Sequence, residues 1–528
     1  MSDNSVPARV IDQLRANLQA AQIHASEEDI AGMESQGFLT RIQAVEQLIA
    51  QNASHMVPDY LKSWHPEPIP MPSHQHSTSA DGGRGEIGQL GADLRAKKVS
   101  AYELTEQALA AIQQHDPQLN AFQLVLAERA YDAARRADQE LAQGTDRGPL
   151  HGIPVAIKDL LDLRGTPTTA GSTILAGTLA QHNATAVERL EAAGAIIIGK
   201  TRMSEFAYSP GSNNAHYGST ANPHNLAHDT GGSSSGSGAA VAAGLVYAAL
   251  GTDTGGSIRI PAALCGIVGL KPTFGRTSLA GATTLAWSLD HLGPLTRSVA
   301  DAALLLDVLS GYDPRDIRTR QGSQTNCLAT LEHGVKGMRV GVLQNDGTSE
   351  LLLSNDQRRA WQQSQDVLRQ AGAMLIEIDM PEIEDLRTVQ SAVLPIEAAT
   401  FHEPMLRERL DDYGTFMRQR ILAAFAFGNR SFVQIQQIRG ILRQRCEAIF
   451  SQIDILSLPS QADTAPPRGT PASTHYTGPF NSLGWPAISM PFGKDVHGLP
   501  LAVQLVGPAW GEAMLLRVAR ALEQHAHV

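Results

Sequence analysis

The chain has 528 residues, of which 42% are hydrophobic and 18% are charged, a composition typical of globular proteins. Its net charge of −11, without a basic cluster, argues against a nucleic-acid partner. The longest apolar run, Ala239 to Gly251, is shorter than the roughly 20 residues that cross a bilayer, so no membrane partner is expected. The N-terminus lacks the charged and apolar regions of a secretory signal. Three cysteines, few and odd in number, predict reduced thiols in a cytoplasmic protein.

Apolar residues near the N-terminus recur at helical spacing, as Val10 and Leu14 do. Ser26 and Asp29 form the pattern of a capping box, which predicts the start of a helix. We therefore expect a small all-helical domain over residues 1–65. Because this domain shows no catalytic pattern, we expect it to pack on the rest of the protein or to join two copies in a homodimer.

Proline occupies alternate positions at the start of residues 66–87, and a polar, glycine-containing stretch follows. This composition favours an extended, stiff linker between two domains. The linker contains His74-Gln75-His76, but the H-x-H metal site of a barrel hydrolase needs a strand that leads into a barrel mouth. His525 and His527 at the C-terminus are equally weak candidates. We expect no bound metal.

From residue 88 onward, helical patterns alternate with short, continuous apolar runs. Continuous strands separated by helices predict an α/β fold whose sheet is covered by helices on both faces, in a single catalytic domain over residues 88–528. Residues 310–445 are richer in Arg, Gln and Leu, and we expect a variable, mainly helical region that shapes a substrate pocket. The predicted strands are Val155–Ile157, Ala195–Ile198, Met338–Leu343, Met374–Ile378, Ile453–Leu458, Ala487–Met490 and Ala502–Val506.

Every residue from Gly231 to Gly238 is Gly or Ser, so the run cannot build a core and leaves its backbone N–H groups free for a ligand. The apolar block Ala239 to Gly251 follows and is expected to form one buried element. A second small-residue turn, Asp253 to Ser257, comes next, and two turns that flank one element can bring two serines together. A flexible linker is the alternative interpretation, but linkers do not lie between strongly apolar blocks.

Serine at pH 7 is a poor nucleophile without an adjacent base. Lys158 stands at the end of a predicted buried strand, within His151–Asp159. An ordinary lysine is almost fully protonated at pH 7, whereas burial favours the neutral amine and lowers the pKa by up to several units. Lys158 is therefore a candidate base if the end of its strand is buried, and an ordinary surface lysine if it is not.

The chain resembles the amidase signature family of serine hydrolases, and the resemblance covers roughly residues 88–528. It implies an α/β amidase-signature fold with a central mixed sheet, and hydrolysis of a linear amide to a carboxylic acid and ammonia or an amine, without a cofactor or metal. The stretches that carry it are His151–Asp159, Gly231–Gly244 and Gly251–Ala262, supported by Gly199–Ala207, Tyr217-Gly218, Asn222-Pro223, Gly266–Pro272 and Gly498–Gly507.

By that resemblance the catalytic residues are Lys158, Ser233 and Ser257. Ser257 would attack the amide carbonyl, and Ser233 would carry the proton to neutral Lys158. In this family the bridging serine follows a cis peptide bond, here between Gly232 and Ser233. Water would then release the acyl group from Ser257, and the small-molecule product would be a carboxylic acid.

The resemblance also assigns supporting roles around the second turn. Asp253 and Arg259 are expected to hold this turn in place, and Gly232 is expected to do the same for the first turn. The alternative interpretation for Asp253 and Arg259 is an ordinary surface ion pair. The residues whose backbone N–H groups are expected to form the oxyanion hole are Thr254, Gly255, Gly256 and Ser257.

The chain departs from the commonest family pattern at two positions. Ser235 stands where glycine is frequent, and Arg202 replaces a frequent asparagine; either change could reshape the leaving-group side of the site. Cys265 lies in an apolar run behind the second turn, so we expect a buried packing thiol rather than a nucleophile.

Three other functions compete with a free amidase. Gly232–Gly236 also fits the G-x-S-x-G nucleophile elbow of an α/β-hydrolase esterase, with Ser234 central, but the polar Asn225–Thr230 before it is expected to be a turn rather than the required strand. A glutaminase-type subunit of a tRNA-dependent amidotransferase is disfavoured by the N-terminal helices and by the absence of a recognisable glutamine-binding pattern. A non-catalytic scaffold is disfavoured by the intact triad. Aliphatic, aryl, peptide-like and ureide substrates of the biuret or allophanate type all remain open.

Overall fold

The coordinates are a computed structural model, which describes residues 6–52, 85–321, 325–428 and 430–524. Most of the predicted linker 66–87, with His74 and His76, lies outside the described residues, as do His525 and His527.

Sixteen α-helices lie in the described part of the chain. In chain order they are α1 (Ala8–Ala20), α2 (Glu27–Ser35), α3 (Thr40–Asn52), α4 (Glu86–Arg95), α5 (Ala101–Leu119), α6 (Ala127–Ala142), α7 (Thr185–Ala192), α8 (Ser235–Ala242), α9 (Arg259–Cys265), α10 (Val299–Leu309), α11 (Asn355–Gln370), α12 (Glu382–Arg409), α13 (Thr415–Leu422), α14 (Ser431–Glu447), α15 (Pro479–Leu483) and α16 (Glu512–Glu523).

Thirteen strands are described, and eleven of them form one sheet in the order β1-β3-β2-β6-β8-β7-β12-β13-β11-β9-β10. Strands β4 and β5 form a separate hairpin. The strands are β1 (Phe122–Val125), β2 (Pro154–Lys158), β3 (Ile196–Thr201), β4 (Ala221–Asn222), β5 (Asn225–Asp229), β6 (Ala248–Asp253), β7 (Val268–Lys271), β8 (His291–Thr296), β9 (Arg339–Asn345), β10 (Met374–Asp379), β11 (Ile455–Pro459), β12 (Ala487–Lys494) and β13 (Pro500–Val506).

The sheet is mixed and buried on both faces. Strands β2, β3 and β6 run parallel, as do β9, β10 and β11, whereas the pairs between these two groups are antiparallel. Every residue of β2, β3, β6 and β13 is buried, and because successive residues of a strand point to opposite faces, both faces must be covered. Helices such as α8, α9 and α11 provide this cover. The predicted α/β fold with a central mixed sheet is confirmed.

All seven predicted strands are present, as β2, β3 and β9 to β13. Strands β7 and β8 were not predicted, because their residues include glycine and proline, which are rare in strand interiors. The packing explains the glycine at position 293, because a Cβ there would lie 2.1 Å from the carbonyl oxygen of Leu270 on the neighbouring strand. Position 293 therefore needs glycine because two backbones approach closely there, and the apolar residue that would ordinarily indicate a strand is missing from the sequence.

The apolar block Ala239 to Gly251 was expected to form one element, and this expectation is wrong. The block contains the second half of α8 and the first half of β6. A turn at Gly244, with φ of +70°, separates them. Because alanine, valine and leucine suit both a buried helix and a buried strand, composition alone does not show where one ends.

The three N-terminal helices pack on helices of the 382–447 region. Helix α3 contacts α12 and α14, and α2 contacts α13. Arg418 Nε donates to Asp29 Oδ1 at 2.8 Å, and Asn17 Nδ2 donates to the carbonyl oxygen of Phe425 at 2.6 Å. The apolar residues of α1 to α3 join the same core cluster as the sheet. The predicted capping box at Ser26 is present and starts α2.

Residues 310–445 hold helices α11 to α14 together with two strands of the central sheet, β9 and β10. Helix α4 begins at Glu86, just inside the predicted linker. None of the helices in the described ranges combines the length and the apolar character needed to cross a membrane.

Candidate active site

Lys158 ends strand β2 inside the protein, with no exposed surface. Its Nζ atom is hydrogen bonded to Ser233 Oγ at 2.7 Å and to Thr252 Oγ1 at 2.9 Å. Burial lowers the pKa of Lys158 to about 7, although the carboxylates of Asp253 and Asp290 act in the opposite direction. A substantial fraction of this amine is therefore neutral at physiological pH, which an exposed lysine does not achieve.

Ser233 is fully buried and follows a cis peptide bond from Gly232, as the resemblance implied. The Gly232 N–H donates to the carbonyl oxygen of Pro210 at 2.9 Å. A Cβ at position 232 would lie 2.1 Å from the carbonyl oxygen of Gly211, so only glycine fits there. The backbone around the first serine is thus fixed by contacts that no larger residue could make.

Strand β6 brings the second turn to the lysine. It pairs in parallel with β2, so Thr252 near its end lies beside Lys158. The N–H of Ser234 donates to the carbonyl oxygen of Ser257 at 3.3 Å, which joins the two serine-containing segments directly. The Lys158 motif and the second turn are therefore brought together at the carboxyl ends of two neighbouring parallel strands, β2 and β6.

Asp253, the last residue of β6, holds the second turn together with Arg259. Arg259 donates from Nε to Asp253 Oδ2 at 3.0 Å and from Nη2 to Asp253 Oδ1 at 2.9 Å. Neither side chain has exposed surface, so the alternative of a surface ion pair is wrong. Burial raises the pKa of the Asp253 carboxyl, but the Arg259 guanidinium, together with the charge of Lys271 and the hydrogen bond from Asn481, holds the pKa well below its usual range. Asp253 is therefore a permanent anion that organises the turn.

The four backbone N–H groups of the turn are not equivalent. The Gly256 N–H donates to Asp253 Oδ1 at 2.7 Å, which corrects the expectation that it is free for an oxyanion. The N–H groups of Thr254, Gly255 and Ser257 donate to no residue in the described part of the chain, and these three residues line a cavity. Gly256 instead serves the turn by its φ of +132°, where a Cβ would lie 2.3 Å from Thr477 Oγ1.

Side chains far from the motifs brace this turn, and the sequence analysis missed them. Gln390 Nε2 donates to the carbonyl oxygen of Thr254 at 3.1 Å, and Thr477 Oγ1 donates to that of Gly255 at 2.7 Å. Asn481 Nδ2 donates to the carbonyl oxygen of Asp253 at 2.9 Å. No spacing in the sequence reveals them, because they reach the turn from α12 and from the neighbourhood of α15 only after the chain has folded.

The turn opens onto a cavity of about 490 Å³ that Ser257 lines. Ser257 retains 8% of its surface, and its hydroxyl makes no hydrogen bond to any described residue. The same cavity is lined by residues of α12 and α13 and by part of the N-terminal helical segment, which contributes Gln36, Phe38, Arg41 and Ala44. The cavity therefore joins a free hydroxyl, three free N–H groups and a set of long side chains.

Ser234, the alternative nucleophile, does not face this cavity. Its hydroxyl is buried and donates to the carbonyl oxygen of Thr252 at 3.2 Å. The preceding Asn225–Asp229 is strand β5, which corrects the expected turn, but β5 belongs to the separate hairpin rather than to the central sheet of an α/β hydrolase.

The remaining candidate residues lie elsewhere. Ser235 and Arg202 do not line the cavity; Arg202 Nη1 donates to Gln123 Oε1 at 2.9 Å. Cys265 is fully buried, and burial raises the pKa of its thiol, in keeping with the predicted packing role. Within the described ranges, no three His, Cys, Asp or Glu side chains converge as metal ligands would.

The chain is similar to proteins of known sequence and structure. A family model described as Amidase matches residues 103–516. A glutamyl-tRNA(Gln) amidotransferase subunit from Anaeromyxobacter sp. (strain K) is 39% identical over 469 residues, which are 83% of this chain and 95% of the relative.

Solved structures show the same fold. One, described as a vestigial protein complex that reveals the evolutionary origins of an s-triazine catabolic enzyme, has a TM-score of 0.80 and 35% identity, covering 83% of this chain and 98% of the other. The native peptide amidase of Stenotrophomonas maltophilia has a TM-score of 0.74 and 31% identity, covering 84% of this chain and 98% of the other.

Proposed function

Since the chain belongs to the amidase signature family, whose members act on amide C–N bonds, we propose that it hydrolyses a linear carboxamide or ureide with Ser257 as the nucleophile and Lys158 and Ser233 as its proton relay. The observation that carries the proposal is the buried amine of Lys158, hydrogen bonded at 2.7 Å to Ser233 beside the turn that presents Ser257 to the cavity.

In the proposed reaction, the Ser257 hydroxyl, which makes no hydrogen bond to a described residue, first turns toward Ser233 Oγ. Ser257 Oγ then attacks the amide carbonyl carbon while its proton passes to Ser233 Oγ. Ser233 gives its own proton to the neutral Nζ of Lys158, so the charge moves onto the amine and not onto either hydroxyl. The same path in reverse delivers the proton to the leaving nitrogen when the C–N bond breaks. Water, deprotonated by the same relay, then attacks the acyl group on Ser257 and yields the carboxylic acid.

The oxyanion of the tetrahedral intermediate would accept hydrogen bonds from the free N–H groups of Thr254, Gly255 and Ser257. Such donors stabilise the transition state most when the backbone does not reorganise, and removal of one donor costs about 10²- to 10³-fold in kcat. The buried pair of Asp253 and Arg259 supplies this rigidity.

The test is ammonia release from a panel of aliphatic, aryl, peptide-like and ureide amides by the wild type and by two serine variants. Ser257→Ala should lose at least about 10³-fold in kcat/KM. Ser234→Ala is the matched control and should keep most of the activity, because its hydroxyl faces away from the cavity. Loss of activity in Ser234→Ala with retention in Ser257→Ala would refute the assignment and favour the esterase alternative.

A second candidate is a glutaminase-type amidotransferase subunit, and the names of the relatives favour it. Eight of them, 36–39% identical to this chain, are named as subunits of glutamyl-tRNA(Gln) amidotransferase. The free amidase and the amidotransferase subunit would use the same chemistry at Ser257. They differ in whether the chain acts alone or needs partner subunits. Turnover of simple amides by the purified chain favours the free amidase, whereas hydrolysis of glutamine only with added partner subunits and tRNA favours the amidotransferase.

A further inference from the structure

The helical part of the cavity lining carries more positive than negative side chains, in a protein whose net charge is −11. Arg41 from α3, Arg387 from α12 and Arg420 from α13 all line the cavity. Glu384 is the single carboxylate among the lining residues, and it pairs with Arg387. Two guanidinium groups, those of Arg41 and Arg420, therefore face the cavity without a carboxylate partner among the described residues.

Arg420 is fixed in place but incompletely satisfied. Its Nη1 donates to the carbonyl oxygen of Tyr208 at 3.1 Å, and its guanidinium lies 4.3 Å from the centre of the Tyr208 ring. Its Nε is buried and has no hydrogen-bond partner in the described part of the protein. Because Nε has almost no accessible surface, an anion in the cavity would reach Arg420 through its Nη groups.

Arg41 comes from outside the region that the family model matches, which begins at residue 103. Its guanidinium lies 5.8 Å from the centre of the Phe38 ring, and Phe38 packs edge-on against Phe416 at the same distance between ring centres. Desolvation of its guanidinium lowers the pKa of Arg41 most, and the nearby charge of Arg420 lowers it further. The residue as a whole still has enough accessible surface to count as exposed. The two like charges repel, and an anion between them would remove this repulsion.

We propose that Arg41 and Arg420 bind a carboxylate on the non-reacting end of the substrate, so that the N-terminal helices complete the site and select small anionic amides. This proposal rests on hydrolysis at Ser257. A planar guanidinium matches a carboxylate better than a lysine ammonium does, and two guanidinium groups on one wall orient the substrate with its amide toward the turn.

The experiment measures kcat and KM of the full chain for matched substrates of similar length, with an ionised carboxylate or without one: succinamate and glutaramate against butyramide and pentanamide. The wild type should prefer the anionic member of each pair. Arg41→Gln should raise KM for the anionic amides by about 10- to 100-fold, the effect of losing a charge-assisted hydrogen bond, and leave the neutral amides unchanged. Arg41→Lys should restore only part of the preference.

Arg15→Gln is the matched control, because Arg15 lies on the same segment but forms a surface ion pair with Glu27, away from the cavity. Arg15→Gln should leave kcat and KM unchanged for both the anionic and the neutral amides. Calorimetric binding of succinate to the Ser257→Ala variant gives a readout that needs no turnover, and Arg41→Gln added to that variant should weaken it by a similar factor.

The outcomes separate the two proposals. If the wild type hydrolyses the neutral amides as well as or better than the anionic ones, and Ser257→Ala abolishes this activity, the anion site is overturned while hydrolysis at Ser257 is supported. Binding of succinate that depends on Arg41, with no turnover of any amide, would support the anion site and count against the hydrolase. A similar loss on both substrate classes in Arg41→Gln would assign Arg41 a structural role and overturn the proposal.

Discussion

The two walls of the cavity that holds Ser257 are built by different means. One wall is a turn of small residues at the ends of parallel strands, fixed by buried hydrogen bonds to Asp253 and Arg259. The other consists of long side chains on helices α3, α12 and α13. The first offers backbone N–H groups and a hydroxyl, and the second offers guanidinium groups and aromatic rings.

This difference separates the chemistry from the choice of substrate. Stabilisation of the proposed transition state needs donors that do not move, and a backbone braced by buried hydrogen bonds would supply them. Recognition of a substrate needs side chains that differ between relatives on an unchanged scaffold, and helices outside the sheet supply these. Changes in the turn should therefore act on kcat, whereas changes in the helical wall should act on KM.

The largest effect should come from the base behind the turn. Lys158→Met should lower kcat/KM by about 10³-fold, within the range for general bases. In the wild type, kcat/KM should rise with pH through about 7, as Lys158 loses its proton. A profile that is flat from pH 5 to 9, or an unchanged profile in the variant, would contradict this assignment.

The same lysine also makes a prediction for stability. Its pKa is about 7 in the folded protein and 10.5 in the unfolded chain, so between these values only the unfolded chain binds the proton. The unfolding free energy of the wild type should therefore rise toward alkaline pH relative to Lys158→Met, by at most about 1.4 kcal/mol per pH unit.

An intermediate effect should come from breaking the brace of the turn. Arg259→Met leaves Asp253 buried without its partner and should lower the unfolding free energy by about 3–5 kcal/mol. Arg276→Met removes a comparably buried partner, that of Glu512, away from the cavity. Both should lower the denaturation midpoint, but only Arg259→Met should lower kcat per folded molecule. Equal kcat in the two variants would show that the brace does not serve the turn.

The smallest effect should come from the thiol behind the turn. Cys265→Ala should retain nearly full activity and should change the unfolding free energy by no more than about 1–2 kcal/mol, because it shortens one packed side chain. Activity assays and denaturant titrations would measure both. A 100-fold loss of kcat in a folded variant would instead restore Cys265 as a candidate nucleophile.

Sequence patterns revealed the strands that contain a continuous apolar run and missed β7 and β8, in which glycine or proline interrupts the run. Strands β2, β3 and β9 to β13 followed from continuous apolar runs. Strand β8 did not, because Gly293 is required by the approach of a neighbouring backbone, a property of the assembled sheet. Residues 239–251 are apolar throughout, so the sequence did not show that the turn at Gly244 separates helix α8 from strand β6.

For the site, the sequence motifs and the family resemblance that they carry identified Lys158, Ser233 and Ser257 as the candidates for the chemistry. What surrounds these three residues became visible in the folded chain. Gln390 reaches the turn from a separate helix, and Arg41 lines the cavity from a segment over a hundred residues before Lys158. Local motifs encode backbone geometry, whereas contacts between distant helices depend on packing that no spacing along the chain records.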